Sequence, residues 1–184
     1  RSQPLVCIND YSDFSGGVPS VCSDDRKAIR DAVDFLYGRG HRVISLLITN
    51  MNTLNNLVRA GAFEEYTAGH GGRLRGSVIR TESRFLNAVP LERYVEKLPA
   101  DCTAVIAPVE AFGNRLYKIL KALRPEAALI PWCYLLHDYA AAAGIPFMRQ
   151  DFRSLAETAV KMLQDQLQGM PVSNSFVPYI FNRF

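Results

Sequence analysis

Phe147-Met148-Arg149-Gln150-Asp151-Phe152-Arg153-Ser154-Leu155, running on to Gly169, is the stretch that decides the fold. The apolar run over 145–148 has the length of a strand and turns polar at Arg149-Gln150. Beyond it, Phe152, Leu155, Ala156, Ala159, Leu163 and Leu167 fall at helical spacing, which predicts an amphipathic helix with these side chains on its apolar face. Asp151 stands just before the helix, where its carboxylate can accept from an orphan N–H of the first turn. Gly169 and Pro171 supply the stop. A strand that feeds directly into an amphipathic crossover is the building unit of a parallel α/β sheet.

The same alternation extends over the rest of the chain. Residues 4–8 read as a buried strand ended by Asn9 and Asp10, a loop with Gly16, Gly17 and Pro19 follows, and 18–23 forms a short extended crossing. Asp24 and Asp25 open a helix whose apolar stripe is Ile29, Ala32, Val33 and Leu36, and two carboxylates in a first turn suit the positive end of the helix dipole. Gly38 and Gly40 end that helix. The β-branched run over 43–49 is a buried strand, and a helix over about 53–68 carries Leu54, Leu57, Val58, Gly61 and Glu65 along one side. After the break at Gly69-His70-Gly71-Gly72 come a weaker strand at 77–79, a short helix at 90–98 and a strand at 103–107. A helix over 109–123, a strand over 127–132, a helical or irregular stretch at 134–143 and a last strand over 176–181 complete the order. Near-continuous apolar strands alternating with amphipathic helices define an α/β fold with a mostly parallel sheet and helices on both faces.

Composition narrows the function classes. In 184 residues, 48% are apolar and 21% charged, the balance of a folded domain or two small lobes with a real core. No run reaches the ~20 apolar residues of a membrane helix, and no basic segment followed by an apolar core opens the chain. The net charge of +3, from 21 basic and 18 acidic residues spread throughout, is too even for nucleic-acid binding by this segment. Cys7, Cys22, Cys102 and Cys133 are scattered without a C-x-x-C pair, far from His41, His70 and His137, and read as buried thiols of a reducing cytoplasm. There is no G-x-S-x-G, no P-loop and no G-x-G-x-x-G, so no cofactor and no enzyme activity is expected.

The segment Arg149-Gln150-Asp151-Phe152-Arg153-x-Leu155-x-x-Thr158-Ala159-Val160, with Gln168-Gly169, resembles the C-terminal crossover of LacI/GalR-family bacterial transcription regulators. Further pieces match that family in the same order. They are Pro4-Leu5-Val6-Cys7-Ile8-Asn9, Val18-Pro19-Ser20-Val21 through Asp24, Gly40-His41-Arg42-x-Ile44, Arg59-Ala60-Gly61-Ala62-Phe63, Thr103-Ala104-Val105-Ile106-Ala107, and Phe176-Val177-Pro178-Tyr179 with Arg183. The resemblance implies a type I periplasmic-binding-protein-like fold, a C-terminal lobe plus a remnant of the N-terminal lobe. Residues 1–22 would be that remnant, 23–149 the C-terminal lobe, 150–176 a helix returning to the N-terminal lobe, and 177–184 a closing strand in the C-terminal lobe. It also implies a cytoplasmic, homodimeric sensor of a small-molecule effector, possibly a carbohydrate, that meets DNA only through an N-terminal domain outside these residues. A periplasmic sugar-binding protein of a transport system is the alternative.

Ligands of open α/β sheets bind beyond the carboxyl ends of the strands. That rule selects Asn50 and Asn52 after the 43–49 strand, Glu110 after 103–107, Trp132 and Cys133 after 127–131, and Gln150 after 145–148. The resemblance adds Arg59, whose planar fork of donors suits hydroxyls or a carboxylate or, equally, a salt bridge. Asn50 and Asn52 can serve hydroxyls or cap the following helix; Trp132 can stack on a ring or fill the core; Gln150 can reach a cleft or bond at the crossover. Asp24 is read as a cap. Val109-Glu110 stands where the family commonly has Asn-Asp, and Trp132-Cys133-Tyr134 where it has an aromatic-Asp-Asp run. A thiol is a weak acceptor, so an effector less polar than a sugar stays open.

Overall fold

The computed structural model describes residues 3–9, 17–49, 53–81, 90–108, 113–133 and 138–184. Its elements are β1 (Cys7–Ile8), β2 (Ser20–Ser23), α1 (Asp25–Gly38), β3 (Val43–Thr49), α2 (Leu54–Ala68), β4 (Arg75–Thr81), α3 (Leu91–Glu96) and β5 (Ala104–Ala107). There follow α4 (Gly113–Leu123), β6 (Ala128–Pro131), α5 (Asp138–Ala142), β7 (Phe147–Arg149), α6 (Phe152–Leu167), β8 (Ser175–Val177) and β9 (Ile180–Asn182).

A parallel sheet in the order β4-β3-β5-β6 forms the larger core. Side chains alternate across it with the two-residue period of a strand. Ile44, Leu46 and Ile48 of β3, with Ile106 and Ile130, meet Ile29, Val33 and Leu36 of α1 and Phe63 of α2. Leu47, Val105 and Leu129 point the other way, onto Leu91 and Val95 of α3 and Leu116 and Leu120 of α4. Covering both faces explains why β3 is apolar almost without interruption. Its one polar interior residue, Ser45, bonds Ser77 Oγ at 2.7 Å and Cys102 Sγ at 3.2 Å. Each fully buried Ile, Leu or Val here contributes about 1.5–3 kcal/mol relative to exposure.

Two local features fix the packing of α1 and α2. Gly40, at φ +93°, lets the chain turn directly after α1, its N–H donating to Tyr37 O at 3.0 Å. Gly76 of β4 lies so close under α2 that a Cβ would stand 2.5 Å from Thr67 Oγ1 and 2.9 Å from Phe63 Cε1.

A smaller parallel sheet, β1-β2-β8, packs against α6 through Val21, Val177, Leu155, Ala159 and Met162. A third pairing is antiparallel, β7 with β9, and a parallel bridge between Trp132 and Met148 ties it to the end of β6. The chain passes between the sheets after Ser23, around Gln150 and at Pro178-Tyr179.

Five expectations change. The face of α6 is narrower than its periodicity suggests: Leu155, Ala159 and Met162 are buried, whereas Phe152 is 47% and Leu167 73% exposed. The buried side of α2 is Asn56, Arg59, Ala60, Ala62, Phe63 and Thr67, while Leu57, Gly61 and Glu65 face outward. Apolar spacing misplaces this face because polar side chains with partners occupy it. The strand at 77–79 extends over Arg75–Thr81 and pairs β3 along its whole length, its weak signal being that of a half-exposed edge strand. The single strand over 176–181 is two strands in different sheets, because Pro178 lacks an N–H and Tyr179 turns into the core. Asp25 stands in the first turn of α1 as expected, but it is buried there instead of facing solvent.

Candidate functional site at the sheet junction

Asp24 caps α1, its Oδ1 accepting from Lys27 N at 2.9 Å, while its own N–H donates to Val177 O at 2.8 Å. Asp25 lies four residues before Ile29 and so falls on the inward stripe of α1. Its Oδ1 accepts from Arg59 Nε at 2.8 Å and from the Tyr179 hydroxyl at 2.8 Å. Arg59 Nη2 donates to the same hydroxyl at 3.2 Å, and Nη1 lies 3.5 Å from Pro108 O at the end of β5. The Asp25 and Arg59 side chains are 0% and 7% exposed. A buried pair of this kind is tolerated only when further hydrogen bonds satisfy both ions, and Tyr179 serves both at once.

Trp132, fully buried at the end of β6, closes the cluster. Tyr179 meets it edge-on with ring centroids 5.6 Å apart, and Arg59 Cζ is 6.0 Å from its ring centre. Its Nε1, and Thr81 Oγ1 at the end of β4, are buried without a hydrogen-bond partner among the described residues. Beside this cluster is a second one. Gln150 Nε2 donates to Ser23 Oγ at 2.8 Å, and Ser23 donates through N and Oγ to Asn9 Oδ1 at 3.1 and 3.3 Å. Asn9 holds a left-handed backbone, φ +56°, which asparagine tolerates better than most residues. A cavity of about 320 Å³ opens at the start of α1, lined by Asp24, Asp25, Arg26, Arg30, Val58 and Phe176.

Of the residues selected from the sequence, Arg59 and Trp132 are brought together and Gln150 joins the neighbouring crossing. Asn50, Asn52 and Glu110 lie outside the described residues. Cys133 belongs to a separate core cluster with Ala140 and Phe147, its N–H donating to Met148 O at 2.7 Å. Sequence reasoning missed Asp25, Tyr179, Ser23 and Asn9. The position of Asp25 on the Ile29–Val33–Leu36 stripe is the signal that would have found it; the others are joined by contacts too distant in sequence to leave one. Among the described residues, no group of three or more His, Cys, Asp or Glu is placed to hold a metal ion, and no helix is long and apolar enough to cross a membrane.

A guanidinium, a carboxylate and a phenol have the chemistry to donate and accept toward hydroxyl groups, but in this structure they bond one another, buried beside the Trp132 ring. With two parallel sheets and an antiparallel β7-β9 pair linked by three passes of chain, the architecture is that of a periplasmic-binding-protein-like α/β protein. No protein-family profile matches the chain. The solved structure of a periplasmic binding protein/LacI transcriptional regulator from Alkaliphilus metalliredigens QYMF, complexed with D-xylulofuranose, superposes with TM-score 0.75 at 15% identity, over 98% of this chain and 69% of that one. A LacI family transcriptional regulator from Enterococcus faecium with bound ribose gives TM-score 0.75 at 17% identity, again over 98% and 69%. In sequence, an uncharacterized HTH-type transcriptional regulator of Bacillus subtilis, YkvZ, is 21% identical over 181 residues, 95% of this chain. The chain spans about half of that relative, 54% of its length. The chain has the fold of LacI-family transcription regulators.

Proposed function

We propose that this chain is the effector-binding and dimerisation region of a LacI-type transcription regulator, and that a small polyhydroxylated molecule, a sugar in the first instance, binds between its two sheets. The observation that carries this reading is the Asp25–Arg59–Tyr179 cluster beside Trp132, which lies at the ends of β5 and β6 and joins two of the chain crossings. The sugars held by the Alkaliphilus and Enterococcus proteins support the ligand class. Arg59 would hold ligand oxygens, with Asn50, Asn52, Glu110 and Gln150 contributing from the neighbouring strand ends and Trp132 forming the floor. Ligand bound to one relative arrangement of the sheets favours that arrangement, and the bias passes to a DNA-reading domain outside these residues. A homodimer carries it, through apolar side chains left exposed on α6 and β8: Phe152, Val160, Leu167 and Phe176.

The decisive test is calorimetric titration with a panel of pentoses and hexoses, including ribose and xylulose. Emission from Trp132, the chain's single tryptophan, provides a second readout. Saturable binding with a change in emission is expected, lost in Arg59→Lys, which keeps the charge beside Asp25. No saturable heat with any member of the panel, or unchanged affinity in Arg59→Lys, would remove the site. Sedimentation at high concentration tests the dimer; a monomer throughout contradicts it.

A further inference from the structure

A concavity of about 500 Å³ lies on the outer side of α1 and α2, lined by Arg26, Arg30, Ala62, Glu65, Tyr66, Gly69, His70 and Arg73; Arg26 and Arg30 stand between it and the cavity at the start of α1, which they also line. We propose that it is a second ligand site, for a small phosphate-bearing anion. Three arginines from two separate segments, α1 and the turn after α2, converge on it against one glutamate. Arg26 and Arg30 stand one helical turn apart on α1, a like-charge spacing that disfavours an isolated helix. The fold gives little in return. Arg26 pairs with Glu65 at 3.0 Å, with both side chains more than half exposed, whereas Arg30 is exposed and has no hydrogen bond or ion pair among the described residues. Arg73 uses Nε for His70 O at 3.3 Å, which leaves its terminal nitrogens available for a fork of two donors.

The rest of the wall is held in place. His70 Nδ1 faces Tyr66 O at 2.8 Å, a contact that requires Nδ1 to carry hydrogen and leaves Nε2 as its other hydrogen-bonding atom. Its ring is wedged between Tyr37 and Tyr66, at 4.9 and 5.2 Å. The Tyr66 hydroxyl donates to Asp34 Oδ1 at 2.6 Å, so that ring presents a fixed apolar side. Guanidinium groups match phosphate oxygens bidentately, and the volume is that of a ligand larger than phosphate alone, within the ~300–1,000 Å³ range of small-molecule sites. The carboxylates nearby, Glu65 and Asp34, are engaged by Arg26 and Tyr66.

The experiment titrates the full chain with inorganic phosphate and with pyrophosphate at constant ionic strength, read by phosphorus NMR and by thermal shift, with sodium chloride as control. Saturable binding, tighter for pyrophosphate, is expected. Arg30→Gln and Arg73→Gln, both surface changes that leave the core intact, should each weaken it about tenfold or more. Tyr179→Phe, at the sheet junction, should leave it unchanged, which separates this site from any sugar site there. Absence of saturable binding, equal binding by the Arg30→Gln/Arg73→Gln double variant, or affinity for a DNA duplex without affinity for pyrophosphate would overturn the proposal.

Discussion

Replacing Arg59 with leucine should be among the most damaging single changes available to this fold. The substitution removes the Nε bond to Asp25 at 2.8 Å and the Nη2 bond to Tyr179 at 3.2 Å, and leaves a carboxylate that is 0% exposed without its counter-ion. Breaking a buried pair by removing one member costs about 3–5 kcal/mol, chiefly the desolvation of the charge left behind. That is roughly two to three and a half orders of magnitude in the folding equilibrium, against a total of about 5–15 kcal/mol for a typical domain. Urea denaturation followed by Trp132 emission and far-ultraviolet circular dichroism gives the number, with coincident transitions as the check on two-state behaviour. The cycle is closed with Asp25→Asn and the Arg59→Leu/Asp25→Asn double variant. Because the double variant carries no orphaned charge, it should be more stable than the sum of the single losses implies, with a coupling of about 1–3 kcal/mol. Arg59→Leu within about 0.5 kcal/mol of the parent, or strict additivity, would refute the argument that a desolvated ion pair joins α1 to α2.

Tyr179→Phe keeps the ring against Trp132 but deletes a hydroxyl bonded to both ions, and should cost about 1.5–3 kcal/mol in the same assay; no loss would mean that water replaces it. Gly76→Val forces a side chain into the space held by Thr67 and Phe63 and should destabilise by about 1–3 kcal/mol, an unchanged urea midpoint being the contrary result. Asp151→Ala removes the cap of α6 and should cost about 1 kcal/mol at neutral pH. Hydrogen bonds from the Ser154 backbone N–H and then its hydroxyl hold the Asp151 carboxyl below its usual range. A folded-state value below the unfolded one makes the cap's contribution full above about pH 5 and lost as pH falls through the lowered value. The difference between parent and variant should therefore shrink in strong acid, and a gap that persists there would count against a charged cap.

The elements were legible where local physics decides them. The apolar runs at β3 and β5 and the stripe Ile29–Val33–Leu36 appear as strands and helix because burial on two faces or one leaves a periodic trace. The caps Asp24 and Asp151 were legible for the same reason, since a cap's partner is three residues away. The inner side of α2 was not, because Asn56, Arg59 and Thr67 are polar and sit inside only by virtue of partners elsewhere. The rule of strand ends located Trp132 and Gln150, and the family resemblance Arg59, but neither revealed what they touch. Arg59 meets Asp25 and Tyr179 across 34 and 120 residues, and Gln150 meets Ser23 across 127, separations that no local pattern encodes.

Three passes of chain lie side by side between the sheets, and each is fastened to the next. Gln150 holds Ser23, the Asp24 N–H holds Val177 O, and the Tyr179 hydroxyl holds Asp25. Sliding one pass along the next would have to break these fasteners, so the crossings resist shear more than a swing that leaves them paired. Loosening a single fastener, for example with Gln150→Ala, should therefore broaden the range of swing before it lowers the melting temperature much.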